Sequence, residues 1–308
     1  MSYKSALSVS ITKERLNIPV SNQQFAHLVH LRPEKPTGQA VFMLHGLMDN
    51  ANCFHDAATH TGLAYVLANE GYDVYLGELR GRHLDTKSLS HLEFDVDQAI
   101  VEDLHKLVAS MNKTAQPEKQ IWIGQGFGSL LLASYLARNP ATLDKIQALV
   151  HFSPFRESQP AGTIKDFWVN WVHRRAIHPL SKALGYVPAI KLKLGRSNES
   201  LGFYQQALQW LDSPWQGKDG FDYAEAVKKL DWPPSLYFAS LHRSWRGSES
   251  DARAFMFDLG DHNARLIKLG RRVGNQQNYK RSELCLNQTA EKDYYPLLLD
   301  WLNELPQL

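Results

Sequence analysis

One stretch of nine residues, Ile121-Trp-Ile-Gly-Gln-Gly-Phe-Gly-Ser129, constrains the fold more than any other. A β-branched, apolar run passes through closely spaced glycines directly into a segment of helical period. A chain reverses this sharply between strand and helix only where no side chain obstructs the turn, as glycine allows. The stretch therefore places a parallel strand with a helix packed back over it, the unit of layered α/β folds.

The surrounding sequence repeats that unit. Candidate strands are Ala40 to Leu44, Asp73 to Leu76, Ile121 to Gly124 and Ile146 to Phe152, with helical segments at Asn52 to Asn69, Val96 to Met111 and Ser129 to Arg138. From Pro154 to Pro234 the alternation breaks into a segment rich in aromatics, prolines and bases. It resumes with strands at Ser235 to Ser240 and Arg265 to Leu269 and helices at Asp251 to Leu259 and Tyr294 to Leu305. The expected architecture is α/β: a doubly wound, mostly parallel sheet from residues 1–154 and 233–308, with an inserted helical cap over 155–232.

The chain has 308 residues and a formal net charge of +2, enough length for one large core and no overall field suited to nucleic acid. Cys53 and Cys285 are the two cysteines, read as free thiols in a reducing compartment. Met1 to Val20 carries Lys4, Lys13, Glu14 and Arg15 and lacks the apolar core of a signal peptide. No stretch stays apolar for the roughly 20 residues that cross a bilayer. The expected location is the cytoplasm.

Gly124, Gly126 and Gly128 also suit a phosphate loop, but a dinucleotide fingerprint follows the first strand and wants an acid about 20 residues on. The order of elements here favours a nucleophile elbow instead. The stretch resembles the elbow of the α/β-hydrolase superfamily, and Val41-Phe-Met-Leu-His-Gly-Leu-Met-Asp-Asn50 looks like that superfamily's oxyanion loop. Gly62 to Arg82, with Tyr72-Asp-Val-Tyr-Leu-Gly-Glu-Leu-Arg-Gly81, is most similar to its acid-lipase and esterase branches.

The pattern G-x-S-x-G maps Gly124, Gln125, Gly126 and Gly128 in turn, so the resemblance puts glycine where the attacking serine stands. It also implies an acid after Ser235 to Ser240, where Arg243 occurs with no carboxylate until Glu249, and a histidine in Arg271 to Ala290, which has none. Arg281 falls near that last position. An arginine stays protonated and cannot act as the base.

Gly126, Arg243 and Arg281 are thus expected as vestigial triad positions, and the chain as a non-catalytic pseudo-hydrolase that binds a ligand or protein partner. The alternatives are an esterase or lipase with a rearranged site, Ser129 or Ser153 being other serines to weigh, and a membrane-surface or scaffold protein. The resemblance further implies an oxyanion pocket at His45, Gly46, Leu47, Gln125 and Phe127, with the N-H groups of Leu47 and Phe127 as donors and His45 structural. Such a pocket suits an acyl group or carboxylate.

His242 and His262 read as surface histidines, Cys53 as a small buried hydrophobe, and no Cys or His spacing suggests a metal. No cofactor is implied. In the cap, Lys165, Arg174, Arg175, Lys182, Lys191, Lys193 and Arg196 accompany Phe167, Trp168 and Trp171, a composition compatible with peripheral membrane contact as well as ordinary cap packing.

Overall fold

The structure is a computed structural model and describes residues 10–156, 177–212, 214–242 and 247–306. Eight strands form one sheet in the order β1-β2-β4-β3-β5-β6-β9-β10. They are β1 (Ile11–Pro19), β2 (Phe25–Pro33), β3 (Ala40–Leu44), β4 (Asp73–Glu78), β5 (Gln120–Gln125), β6 (Ile146–Phe152), β9 (Ser235–Ser240) and β10 (Ala264–Leu269). β4 through β10 pair in parallel, whereas β1 and β2 form an antiparallel edge. The expected doubly wound, mostly parallel sheet is the one observed.

Alternation along the strands sorts side chains to two faces. Phe42 and Trp122 join Leu130 and Leu104 in the core beneath the helix Phe127–Arg138 and the helical run 96–115. Val41, Met43, Ile121 and Ile123 face the helices Leu63–Asn69 and Tyr295–Glu304 on the other side. Burial of both faces explains why the central strands read as nearly continuous apolar runs.

Three local expectations differ. β1 and β2 were hidden by composition: β1 is an edge strand exposing Lys13, Glu14 and Arg15, charges that discourage pairing with another chain. β2 carries polar His27 and His30 among its apolar residues. The segment expected as one helix over Asn52 to Asn69 has a short 3-10 turn at Ala51–Cys53 and becomes α-helical only at Leu63. The Asn50 side chain accepts from the N-H of Asn52, and Asp56 accepts from that of Ala58, so local side-chain bonds compete with the helix ladder.

Register decides what meets at the carboxyl edge. Leu44 lies opposite both Gly77 and Gly124, and Gln125 lies opposite Phe152, which in turn pairs with Phe238. The loops after β3, β5 and β6 therefore emerge level with one another. Between β6 and β9 the described chain forms the helix His178–Leu184, a two-residue pairing of β7 (Tyr186–Val187) with β8 (Glu199–Ser200), and the helix Leu201–Asp212. Buried Arg82 ties this part to the sheet through Glu199 at 2.6 Å. Among the described residues no helix is long and apolar enough to cross a membrane.

Candidate active site

At the end of β5 the backbone of Gly126 takes φ +55° and ψ −120°, a region open to glycine and costly for other residues. Its N-H donates to the carbonyl of Phe152 at 2.9 Å, and the helix starts at the next residue. Gly128 permits a close approach: a β-carbon there would stand 2.4 Å from the carbonyl oxygen of Leu44 and 2.5 Å from that of His45. The turn after β3 is thus pressed against the helix N-terminus. Among the described residues, neither the N-H of Leu47 nor that of Phe127 is taken by a protein acceptor. These are donors of the kind that binds a developing oxyanion or a carboxylate.

His45 holds this turn. The N-H of Leu79 donates to its Nε2 at 3.3 Å, which leaves Nδ1 to donate to the carbonyl of Gly46 at 2.8 Å. Burial lowers its pKa to about 3, so it is neutral.

A cavity of about 50 Å³ opens over Gly126. Leu47, Asp49, Gln125, Phe127, Phe155, Leu194, Arg196 and Arg281 are among the residues that line it. A larger groove of about 630 Å³ lies at the amino edge of the sheet, beside Thr37, Gln39 and Lys119, away from the elbow. Ligands of open α/β sheets bind at the carboxyl edge, so the small cavity is the candidate site.

Asp49, buried at 8% exposure, receives Arg196 Nη1 at 3.2 Å. Burial pushes its carboxyl up, against the pull of Arg196 and the N-H of Asn50. Arg281 places its guanidinium 5.1 Å from the centre of the Phe155 ring and keeps a buried Nη1 with no hydrogen-bond partner. Burial lowers its pKa, while Asp49 and Asp251 act through space to raise it. Gln125 Nε2 donates to the Arg281 carbonyl at 3.4 Å, leaving its buried Oε1 unpaired.

The sequence-derived positions Gly126 and Arg281 are thus neighbours, whereas Arg243 lies outside the described residues, as do Lys165, Phe167, Trp168, Trp171, Arg174 and Arg175. Ser129 is buried inside the helix with an unpaired Oγ, and Ser153, at φ +46°, is buried after β6; neither lines the cavity. His262 bonds Tyr237 at 2.8 Å, and His242 is half-buried. Burial pushes the thiols of Cys53 and Cys285 well up. Asp49 and Arg196 were not singled out as site residues. Asp49 stands in the oxyanion-loop stretch itself and was discoverable; Arg196 reaches the site across 147 residues, which no local pattern announces.

A family model described as "Serine aminopeptidase, S33" matches residues 35–211, more than half of the chain. Curated relatives include mouse lipase member K, 27% identical over 121 residues, covering 37% of this chain and 30% of that protein. Human gastric triacylglycerol lipase is 26% identical over 127 residues, covering 38% and 32%. The chain thus matches about a third of the length of each. An esterase of Pyrococcus furiosus superposes with a TM-score of 0.57 at 12% identity, covering 96% and 92% of the two chains. An esterase from Exiguobacterium antarcticum gives 0.58 at 13%, covering 94% and 99%. These two structures show the shared fold.

The expectation of a non-catalytic protein is corrected by these findings, because a hydrolase family and its lipase relatives favour the hydrolase alternative. That expectation weighed three triad positions and left out Asp49, an acid inside the same cavity. With its elbow, oxyanion-loop turn and sheet order in place, the chain belongs to the serine aminopeptidase S33 family of α/β hydrolases.

Proposed function

We propose that this protein is a carboxylic-ester hydrolase with a rearranged active site, in which water makes the attack. One observation carries the reading: Asp49, an acid, lines the same cavity as Gly126, Leu47 and Phe127. The ester carbonyl rests on the N-H groups of Leu47 and Phe127. Asp49 takes a proton from a water molecule whose oxygen bonds to the carbonyl carbon. The resulting oxyanion is stabilised by the two N-H groups and by the adjacent guanidinium of Arg281. Collapse breaks the bond to the alkoxy group, which leaves with the proton held by Asp49, and the acid remains.

In this reading Gly126, Arg243 and Arg281 have lost the roles of nucleophile, acid and base. Gly126 leaves room for the water. Burial, by raising the Asp49 carboxyl, makes it a stronger base than an exposed aspartate. A cavity of about 50 Å³ suits acetyl-sized acyl groups better than long chains.

Hydrolysis of p-nitrophenyl acetate in ¹⁸O-labelled water tests the mechanism. The expected result is no burst of p-nitrophenol ahead of steady turnover, label in the released acetate and none on the enzyme after a single turnover, no covalent labelling by serine-directed phosphonates, and a fall in kcat of about a hundredfold or more for Asp49→Asn. A labelled serine, with Ser282 at the cavity wall the first to check, or full activity in Asp49→Asn sinks it.

A further inference from the structure

The cavity over Gly126 presents more donors than the protein itself satisfies. The N-H groups of Leu47 and Phe127 have no protein acceptor among the described residues, and Arg281 Nη1 is buried without a partner. Desolvating a charged donor without an acceptor is costly, and native proteins rarely leave one so. Nη1 stands 4.0 Å from the point where a β-carbon of Gly126 would be, so the unpaired cation points at the floor of the cavity. The helix Phe127–Arg138 adds the positive end of its dipole at the same place.

We infer that this cavity is a binding site for a small monocarboxylate, with one oxygen on the N-H groups of Leu47 and Phe127 and the other on Arg281 Nη1. A carboxylate supplies acceptors for all three donors, whereas a neutral carbonyl offers one oxygen. Two groups oppose it, the Asp49 carboxylate and Gln125 Oε1. Arg196 offsets the first at 3.2 Å. Phe155, whose ring lies under the Arg281 guanidinium, holds that cation and limits the space to an acetate-sized ion. Identifying the bound acid as the reaction's product rests on the hydrolase reading, and the acid then inhibits competitively.

Sodium acetate is titrated into the full chain against sodium chloride at equal ionic strength, following the Leu47 and Phe127 amides by NMR together with Tm. Saturable amide shifts and a Tm that rises with acetate beyond the chloride response are expected. Arg281→Gln should weaken acetate about tenfold to a hundredfold, the range of a lost charge-assisted hydrogen bond. Asp49→Asn should bind acetate more tightly although it loses turnover, because it removes the opposing charge. An identical response to both salts, or unchanged acetate affinity in Arg281→Gln, overturns the inference. If Arg281→Gln does not fold, Asp49→Asn decides: weaker acetate binding there overturns it. Ester turnover without saturable acetate binding refutes this site alone, and acetate binding without turnover refutes the hydrolase reading alone.

Discussion

Arg281 Nη1 stands 4.0 Å from the place a β-carbon on Gly126 would fill, and Phe155 Cε1 stands 3.2 Å from it. A side chain at the elbow therefore enters the cavity against a cation and an aromatic edge. The donor that would greet a serine hydroxyl is a guanidinium, which cannot accept its proton.

Gly126→Ser should accordingly fail to create a serine hydrolase. Its φ of +55° with ψ of −120° costs a non-glycine residue about 1 to 3 kcal/mol, and the hydroxyl displaces the water that the proposed mechanism needs. Lower Tm and lower turnover of p-nitrophenyl acetate are expected together. A variant both more stable and faster than the parent would contradict this account of the elbow.

Glu78 should contribute to stability in a pH-dependent way. Burial by itself would raise its carboxyl, but His83 at 2.7 Å, the Ala51 N-H at 3.0 Å and Arg15 at 2.8 Å outweigh it and hold the pKa at about 2. The folded value is below the ordinary 4.5, so the contribution is complete above pH 4.5 and is lost as pH falls through about 2. Glu78→Gln should cost roughly 2 to 3 kcal/mol in urea unfolding at pH 7. The gap between variant and parent should narrow below pH 4.5; a constant gap down to pH 2 would refute the pairing.

His151 also loses stability as pH falls, but because its charged form is excluded rather than because a charged form is held. It is buried, stacked on Tyr237 at 4.7 Å and edge-on to Phe255 at 5.5 Å, and neither ring nitrogen has a partner. Burial lowers its pKa to about 3, with His262 adding to the effect. The unfolded chain takes up a proton below pH 6.5 that the folded chain refuses, so stability falls from there toward pH 3. His151→Phe keeps the stacking and removes the penalty. It should gain roughly 2 kcal/mol relative to the parent between pH 8 and pH 5. Parallel stability curves for the two proteins would show that this ring is not the neutral, buried group described.

Much of the fold was legible because burial on both faces leaves a strong mark. The segments Ala40–Leu44, Ile146–Phe152 and Ser235–Ser240 were bounded correctly from apolar runs and the turns that follow. β1 was not, since an edge strand buries one side only and its charges read as loop, and β2, paired on both sides, was not because His27 and His30 interrupt its apolar run. The elbow was legible for a backbone reason: three glycines within five residues mark a close approach whatever the neighbours are. Arg281 could be placed near the elbow by counting back from the closing helix.

Sequence by itself thus determined the layered α/β order, the glycine at position 126 and the absence of histidine from 271–290, because each depends on local chain properties or on residue identity. Only the tertiary structure decided that Asp49, Arg196 and Arg281 face one small cavity with unused N-H donors. Register brings the ends of β3, β5 and β6 level, and the segment through Leu194–Arg196 closes over them. Charges that are 147 and 232 residues from Asp49 along the chain then share one desolvated space, where burial and mutual fields, rather than residue type, set what each can do.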